Sequence, residues 1–206
     1  MDDMSTWLIR ALLLAGPVLL AVTFHELAHG YVANRLGDPT ARMAGRLTLN
    51  PIKHLDLVGT LVFFITQMIG WAKPVPINPR NFRRPRQDMI WVSLAGPVAN
   101  LLLALIFAQI FKLLLPLAAS PSWIPLLRLL AFVVSINIGL AIFNLIPIPP
   151  LDGSHVLAGI LPRQLAISYA GIGRYGFLIL LLLIFMRVID RVIYPIITAL
   201  RGLMLG

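Results

Sequence analysis

The chain has no cysteine. That excludes disulfides and thiolate metal sites and leaves the compartment open. Charge is scarce as well: Asp, Glu, Lys and Arg make up 12% of the 206 residues, and only eight residues are acidic. A soluble domain carries roughly 25% charged residues. Histidine occurs at four positions. Basic residues are missing where a secretory signal needs them, since the chain starts MDDMSTW, and no small-residue cleavage site precedes Phe24. The first apolar segment is therefore expected to be retained.

What is abundant is apolar side chain, at 59% of residues. Soluble globular chains hold about 45–50%. The excess is too large for a core and points to lipid as the solvent. Apolar stretches near or above the roughly 18–20 residues needed to cross a bilayer run over 8–33, 89–117, 124–146 and 175–199. The predicted fold is an all-α polytopic membrane protein of about four to six transmembrane helices, forming one unit over 1–206.

The net charge of +9 raises the question of nucleic acid, but nine of the 17 basic residues lie between Arg35 and Arg86, flanked by membrane segments. Such a cluster marks a cytoplasmic face and suits anionic lipid headgroups. No aromatic-interleaved or helical basic motif accompanies it, so no nucleic-acid partner is expected. On this map the first span enters from outside and 34–88 stays cytoplasmic. The next two spans form a hairpin around Ala118–Pro125, and the last goes out again.

Leu57–Ala72 resists that scheme. It is apolar but only 16 residues long, and a full crossing would put Lys73, Arg80, Arg83, Arg84 and Arg86 outside. The preferred reading is a re-entrant element, which needs cover from protein or a wet cavity; a short tilted crossing is the alternative. Gly45–Pro51 alternates apolar and polar, and Lys73–Pro79 is broken by prolines. Both read as short extended pieces, predicting a small β element between the first two spanning helices.

Chemistry concentrates in His25-Glu-Leu-Ala-His29, inside the first span. Positions i and i+4 share a helix face, so both imidazoles can meet one ion, with Glu26 placed to take a proton from water. Each charged group at this depth costs at least roughly 2.5–3.5 kcal/mol and needs compensation. Helix-to-helix glue would normally use Ser, Thr or Asn. A catalytic zinc needs a third protein ligand. The best candidate is Asp152: Pro147, Pro149 and Pro150 should stop the helix near Ile146, and extended chain should carry Asp152 into a turn at Gly153. His54 reads as a solvated or satisfied loop histidine, and His155 as a group that could orient Asp152 or a water. The ligand set favours one Zn²⁺ per chain, although two His and a carboxylate can also hold iron.

HELAH, Ser93-Leu-Ala-Gly-Pro-Val-Ala-Asn100, and Asn144 followed by Leu151-Asp-Gly153 together resemble the site-2 protease family of intramembrane zinc metalloproteases, in its short prokaryotic form without PDZ or CBS domains. The resemblance covers roughly residues 20–160. It implies His25, His29 and Asp152 as zinc ligands and Glu26 as the base. It also implies Asn144 near the substrate or its oxyanion, where a helix-to-helix hydrogen bond is the competing role. Asn100 reads as structural. The implied partners are a transmembrane protein substrate and membrane lipid. The implied location is a prokaryotic plasma membrane, with the active site towards the cytoplasm. The rival from another class is a non-catalytic metal or proton pathway, such as a transporter. Against it, only one interrupted helix is evident, with no matching half. Small-residue pairs such as Gly171 and Gly173 do not define an oligomer face.

Overall fold

The structure, a computed structural model, describes residues 4–66 and 70–206, with side chains from residue 14 onward apart from Thr66. The helices are α1 (Met4–Arg35), α2 (Thr40–Met43), α3 (Leu57–Thr66), α4 (Pro85–Leu114), α5 (Ile124–Asn144), α6 (Asp152–Ile160), α7 (Arg163–Phe185) and α8 (Val188–Leu205). Among the described residues, three stretches are long and apolar enough to cross a membrane: Pro85–Ala119, Pro121–Asn144 and Arg163–Phe185. The expected span 8–33 lies within α1, whose 32 residues extend about 48 Å.

Helix ends follow local chemistry. Gly37, at φ 109°, turns the chain out of α1 before Pro39. Pro85 occupies the first position of α4, and the Asp88 carboxylate accepts the Arg84 backbone N–H at 2.9 Å. α4 is central. It packs on α1 around Ala33, Phe82 and Val92, and on α5 around Ala104, Ala108, Val134 and Ile138. Small residues at these contacts let backbones approach closely, as membrane helix packing requires.

Two expectations need correction. The span expected at 175–199 straddles α7 and α8, because the chain breaks at Met186 and Arg187, the latter at φ 57°. Arg187, Asp190 and Arg191 put three charges at that break. Upstream, 163–174 forms the first half of α7. The β element is also absent: Leu55 and Ala72 form an isolated antiparallel bridge, and the described residues contain no strand. In Gly45–Pro51, Thr48 Oγ1 accepts the Asn50 N–H and Asn50 Oδ1 accepts the Ile52 N–H, each at 3.1 Å. Such local side-chain bonds offer the backbone an alternative to a ladder.

Residues 57–72 make an excursion whose ends meet. α3 has ten residues, about 15 Å, half of the roughly 30 Å hydrocarbon core. Residues 67–69 lie outside the described residues. The returning chain then touches α3 so closely that a Cβ on Gly59 would sit 2.2 Å from the Trp71 carbonyl oxygen. The Lys73 N–H donates to the His54 carbonyl at 2.9 Å, closing the loop beside the bridge.

Candidate metal centre

α1 places His25 and His29 one turn apart, with ring centroids 4.5 Å apart and planes at 85°. Both are buried. The first residue of α6, Asp152, reaches them across 122 intervening residues: Oδ2 lies 3.1 Å from His25 Nε2 and 3.3 Å from His29 Nε2. One ligand atom from each of the three residues falls within 4.8 Å of the others. An ion held tetrahedrally about 2.0–2.1 Å from its ligands has ligand-to-ligand edges of roughly 3.3–3.4 Å. The two edges to Asp152, at 3.1 and 3.3 Å, are close to that size and the third is no longer than 4.8 Å, so the donor set suits one zinc ion.

The third wall of the site is a missing side chain. A Cβ on Gly96 of α4 would lie 2.4 Å from His29 Nε2 and 2.7 Å from His25 Nε2. Any other residue there would occupy the space in front of the ligand nitrogens. Gly96 therefore does more than ease helix packing.

Both imidazoles are fixed by their other nitrogen. His29 Nδ1 donates to the Val92 carbonyl at 2.7 Å. His25 Nδ1 lies 2.6 Å from Asn100 Oδ1. The Asn100 amide nitrogen spends both hydrogens, on the Ala21 carbonyl and on Asn137 Oδ1, each at 2.9 Å. Asn100 Oδ1 is thus an acceptor, the proton sits on His25 Nδ1, and Nε2 presents its lone pair to the site. Partners of this kind set tautomer and ring orientation in metal centres.

Asp152 arrives on a helix rather than in the turn expected at Gly153. α6 runs from Asp152 to Ile160, and an acidic residue in the first turn suits the helix dipole. Gly153 permits the docking, since its Cβ would lie 2.2 Å from the Leu145 carbonyl oxygen. The far end of α6 is tied to α4 by Arg86, which donates to the Ala158 and Leu161 carbonyls.

Glu26 Oε2 accepts the Val75 backbone N–H at 2.8 Å. Pro74 and Pro76 have no N–H, so Val75 is the donor at this point of the segment. The segment itself is pinned: Arg46 donates to the Lys73 carbonyl at 2.6 Å, and the Asn78 N–H donates to Asp38 at 2.7 Å. Asp38 is fully buried, and also accepts from the Thr40 N–H and hydroxyl and from the Asn81 amide. Burial alone would raise its pKa, but these four hydrogen bonds outweigh it and hold the carboxyl below the usual carboxylate range.

The structure thus brings His25, His29 and Asp152 together. It does not bring Asn144 to them: its amide donates to the Leu140 carbonyl of its own helix at 2.9 Å. His155, one turn beyond Asp152, is exposed and, among the described residues, makes no hydrogen bond or ion pair with those three. His54 is buried rather than solvated, with Nε2 donating to the Thr48 carbonyl at 2.9 Å. Sequence reading missed the roles of Asn100, Asn137 and the Val75 N–H. Two asparagines within apolar helices were a usable signal; a backbone donor leaves none.

A Bacillus subtilis protein named "Putative zinc metalloprotease YwhC" is 39% identical over 187 residues, covering 88% of this chain and 84% of its own length. The chain belongs to peptidase family M50, the site-2 protease family. The family description, Peptidase family M50, matches residues 113–184, which include Asn144 and Asp152. Rip2 of Mycolicibacterium smegmatis, with the same form of name, is 30% identical over 84% of this chain and 66% of its own. "Zinc metalloprotease MJ0392" of Methanocaldococcus jannaschii is 26% identical over 80% of this chain and 38% of its own. No solved structure matches. This M50 chain, with its apolar helices, is an integral membrane protein of a peptidase family.

Proposed function

We propose that the chain is a zinc metalloendopeptidase acting within the membrane, cleaving a peptide bond in or near a transmembrane segment of another membrane protein, as in regulated intramembrane proteolysis. The observation that carries this reading is the convergence of His25, His29 and Asp152 beside Glu26 on apolar helices. The names of the relatives support zinc as the metal.

His25, His29 and Asp152 would hold the ion, and residues 1–206 act as one catalytic core. A zinc ion in such a set supplies Lewis acidity, bringing a water's pKa towards about 7 and polarising a carbonyl. Glu26 would take a proton from the attacking water and pass it to the leaving amine. The Val75 N–H steadies the Glu26 carboxylate for both transfers. Asn144 leaves the Leu140 carbonyl and donates to the oxyanion, a contribution typically worth 10²–10³ in rate. The substrate helix must unwind, since a helical peptide bond is shielded. α3 dips into the bilayer and returns, and the basic block Arg35–Arg86 puts the site towards the cytoplasm.

The test is metal content of the detergent-purified chain. Wild type should hold about one zinc per chain and Asp152→Ala much less. Glu26→Gln should keep zinc while losing cleavage across a panel of single-span membrane proteins. A folded wild type without zinc sinks the reading. Retained zinc with altered ion flux in Glu26→Gln would instead favour a metal or proton pathway.

A further inference from the structure

We propose that the cleft between the end of α1 and the start of α4 is a binding site for the headgroup of an anionic phospholipid, independent of the metal centre. The cleft measures about 460 Å³, and its lining includes Arg35, Arg83, Arg84, Gln87, Asp88 and Trp91. Three guanidinium groups thus meet one carboxylate. Among the described residues, the ion contacts to carboxylates within 4.0 Å are those of His25 and His29, so these arginines are not neutralised. Asp88 is engaged with the Arg84 backbone N–H. Arg35 is held in place by Tyr31, donating to its hydroxyl at 2.8 Å with the guanidinium 5.3 Å from the ring centroid. Uncompensated arginines around one cleft call for a phosphate, which their planar forks bind with two parallel bonds.

The surroundings select a lipid as the source of that phosphate. Trp91 lies seven residues along α4 from Arg84, about 10 Å, and is 63% exposed. Tyr31 lies one turn, about 6 Å, from Arg35 and is 49% exposed. Exposed Trp and Tyr below a basic layer mark the level of the membrane interface. The same face of α4 then continues through Val98, Leu102 and Leu105, all exposed and all within roughly 40° of Trp91 around the helix. A headgroup in the cleft would therefore have its acyl chains directed along an apolar track on the same helix. Basic pockets between membrane helices bind such headgroups. A second cleft has two arginines in its lining, Arg86 and Arg163, and Arg86 already spends its fork on the Ala158 and Leu161 carbonyls.

The test uses the full chain in mixed micelles and reads quenching of Trp91, taken as the difference between wild type and Trp91→Phe. Dibrominated phosphatidylglycerol should outcompete dibrominated phosphatidylcholine by roughly fivefold in relative binding constant. Arg35→Gln/Arg83→Gln/Arg84→Gln should bring that ratio near unity, whereas neutralising Arg42, Lys53 and Arg80 should leave it. If the triple variant loses its helical circular dichroism, Arg83→Gln/Arg84→Gln, whose side chains make no hydrogen bond among the described residues, should still at least halve the ratio. Equal quenching by the two lipids overturns the proposal, as does a ratio that survives loss of the three arginines. A ratio lost equally in the Arg42, Lys53 and Arg80 variant would mean diffuse surface charge, and displacement by millimolar glycerol phosphate would mean a soluble anion; either also overturns it.

Discussion

At the scale of single residues, Gly96 and Asn100 decide whether two histidines on α1 can act as ligands. Their spacing of four on α4 puts both on the face that meets α1. Gly96→Ala introduces a methyl 2.4 Å from His29 Nε2, so zinc retention after dialysis should fall at least tenfold while helix content stays unchanged. Asn100→Ala removes the acceptor that holds the proton on His25 Nδ1. Removing such a partner typically costs 10–100-fold in metal affinity, measurable by competition with a chelator. Asn100→Asp should lose less, because it keeps an oxygen for His25 while giving up the two donated bonds. Equal losses in both variants would mean that Asn100 serves packing rather than orientation.

At the scale of elements, the site depends on short segments clamped between long helices. Asp38 ties the end of α1 to the segment that carries Val75 and hence Glu26. Its carboxyl is held below the ordinary range, so its contribution to stability is present above pH ~3.9 and is lost as pH falls through the lower folded value. Wild type should therefore lose thermal stability as pH falls below about 4 more steeply than Asp38→Asn, which should already be weaker at pH 7 by about 1–3 kcal/mol. Thermal unfolding in detergent across that range checks both the sign and the difference. α6 offers a second case. Gly153→Ala forces a methyl onto the Leu145 carbonyl, and α6 should then dock poorly, lowering both the melting temperature and zinc content. Zinc content preserved beside a lowered melting temperature would uncouple α6 docking from the ligand role of Asp152.

For the whole molecule, an ion held by the three proposed ligands would tie α1 to α6, which are joined in sequence only through more than a hundred residues. A ligand bound only to the folded state stabilises by RT ln(1 + [L]/Kd), about 4 kcal/mol at a thousandfold excess over Kd. Chelation of the wild type should lower its melting temperature by several degrees, and restored zinc should reverse the loss. Asp152→Ala should respond to neither treatment. A wild type equally indifferent to chelator would leave the three donors without an energetic role in the fold.

The sequence alone determined the properties that depend on local composition and spacing. The lipid-facing character follows from apolar content, and the two histidines share a face because helix periodicity is a local property. Asp152 could be picked out because acids are scarce and prolines end the preceding helix. Where local signals competed, they misled: alternation in GRLTLNP suggested a strand that Thr48 and Asn50 bend away, and apolar continuity hid the break at Arg187. Only the tertiary structure decided that α6 begins at Asp152, that Gly96 leaves room for the ligands, that Asn100 sets a tautomer, and that Val75 holds Glu26. Those depend on which helices cross where, and on backbone groups that every residue carries alike, so no single side chain announces them.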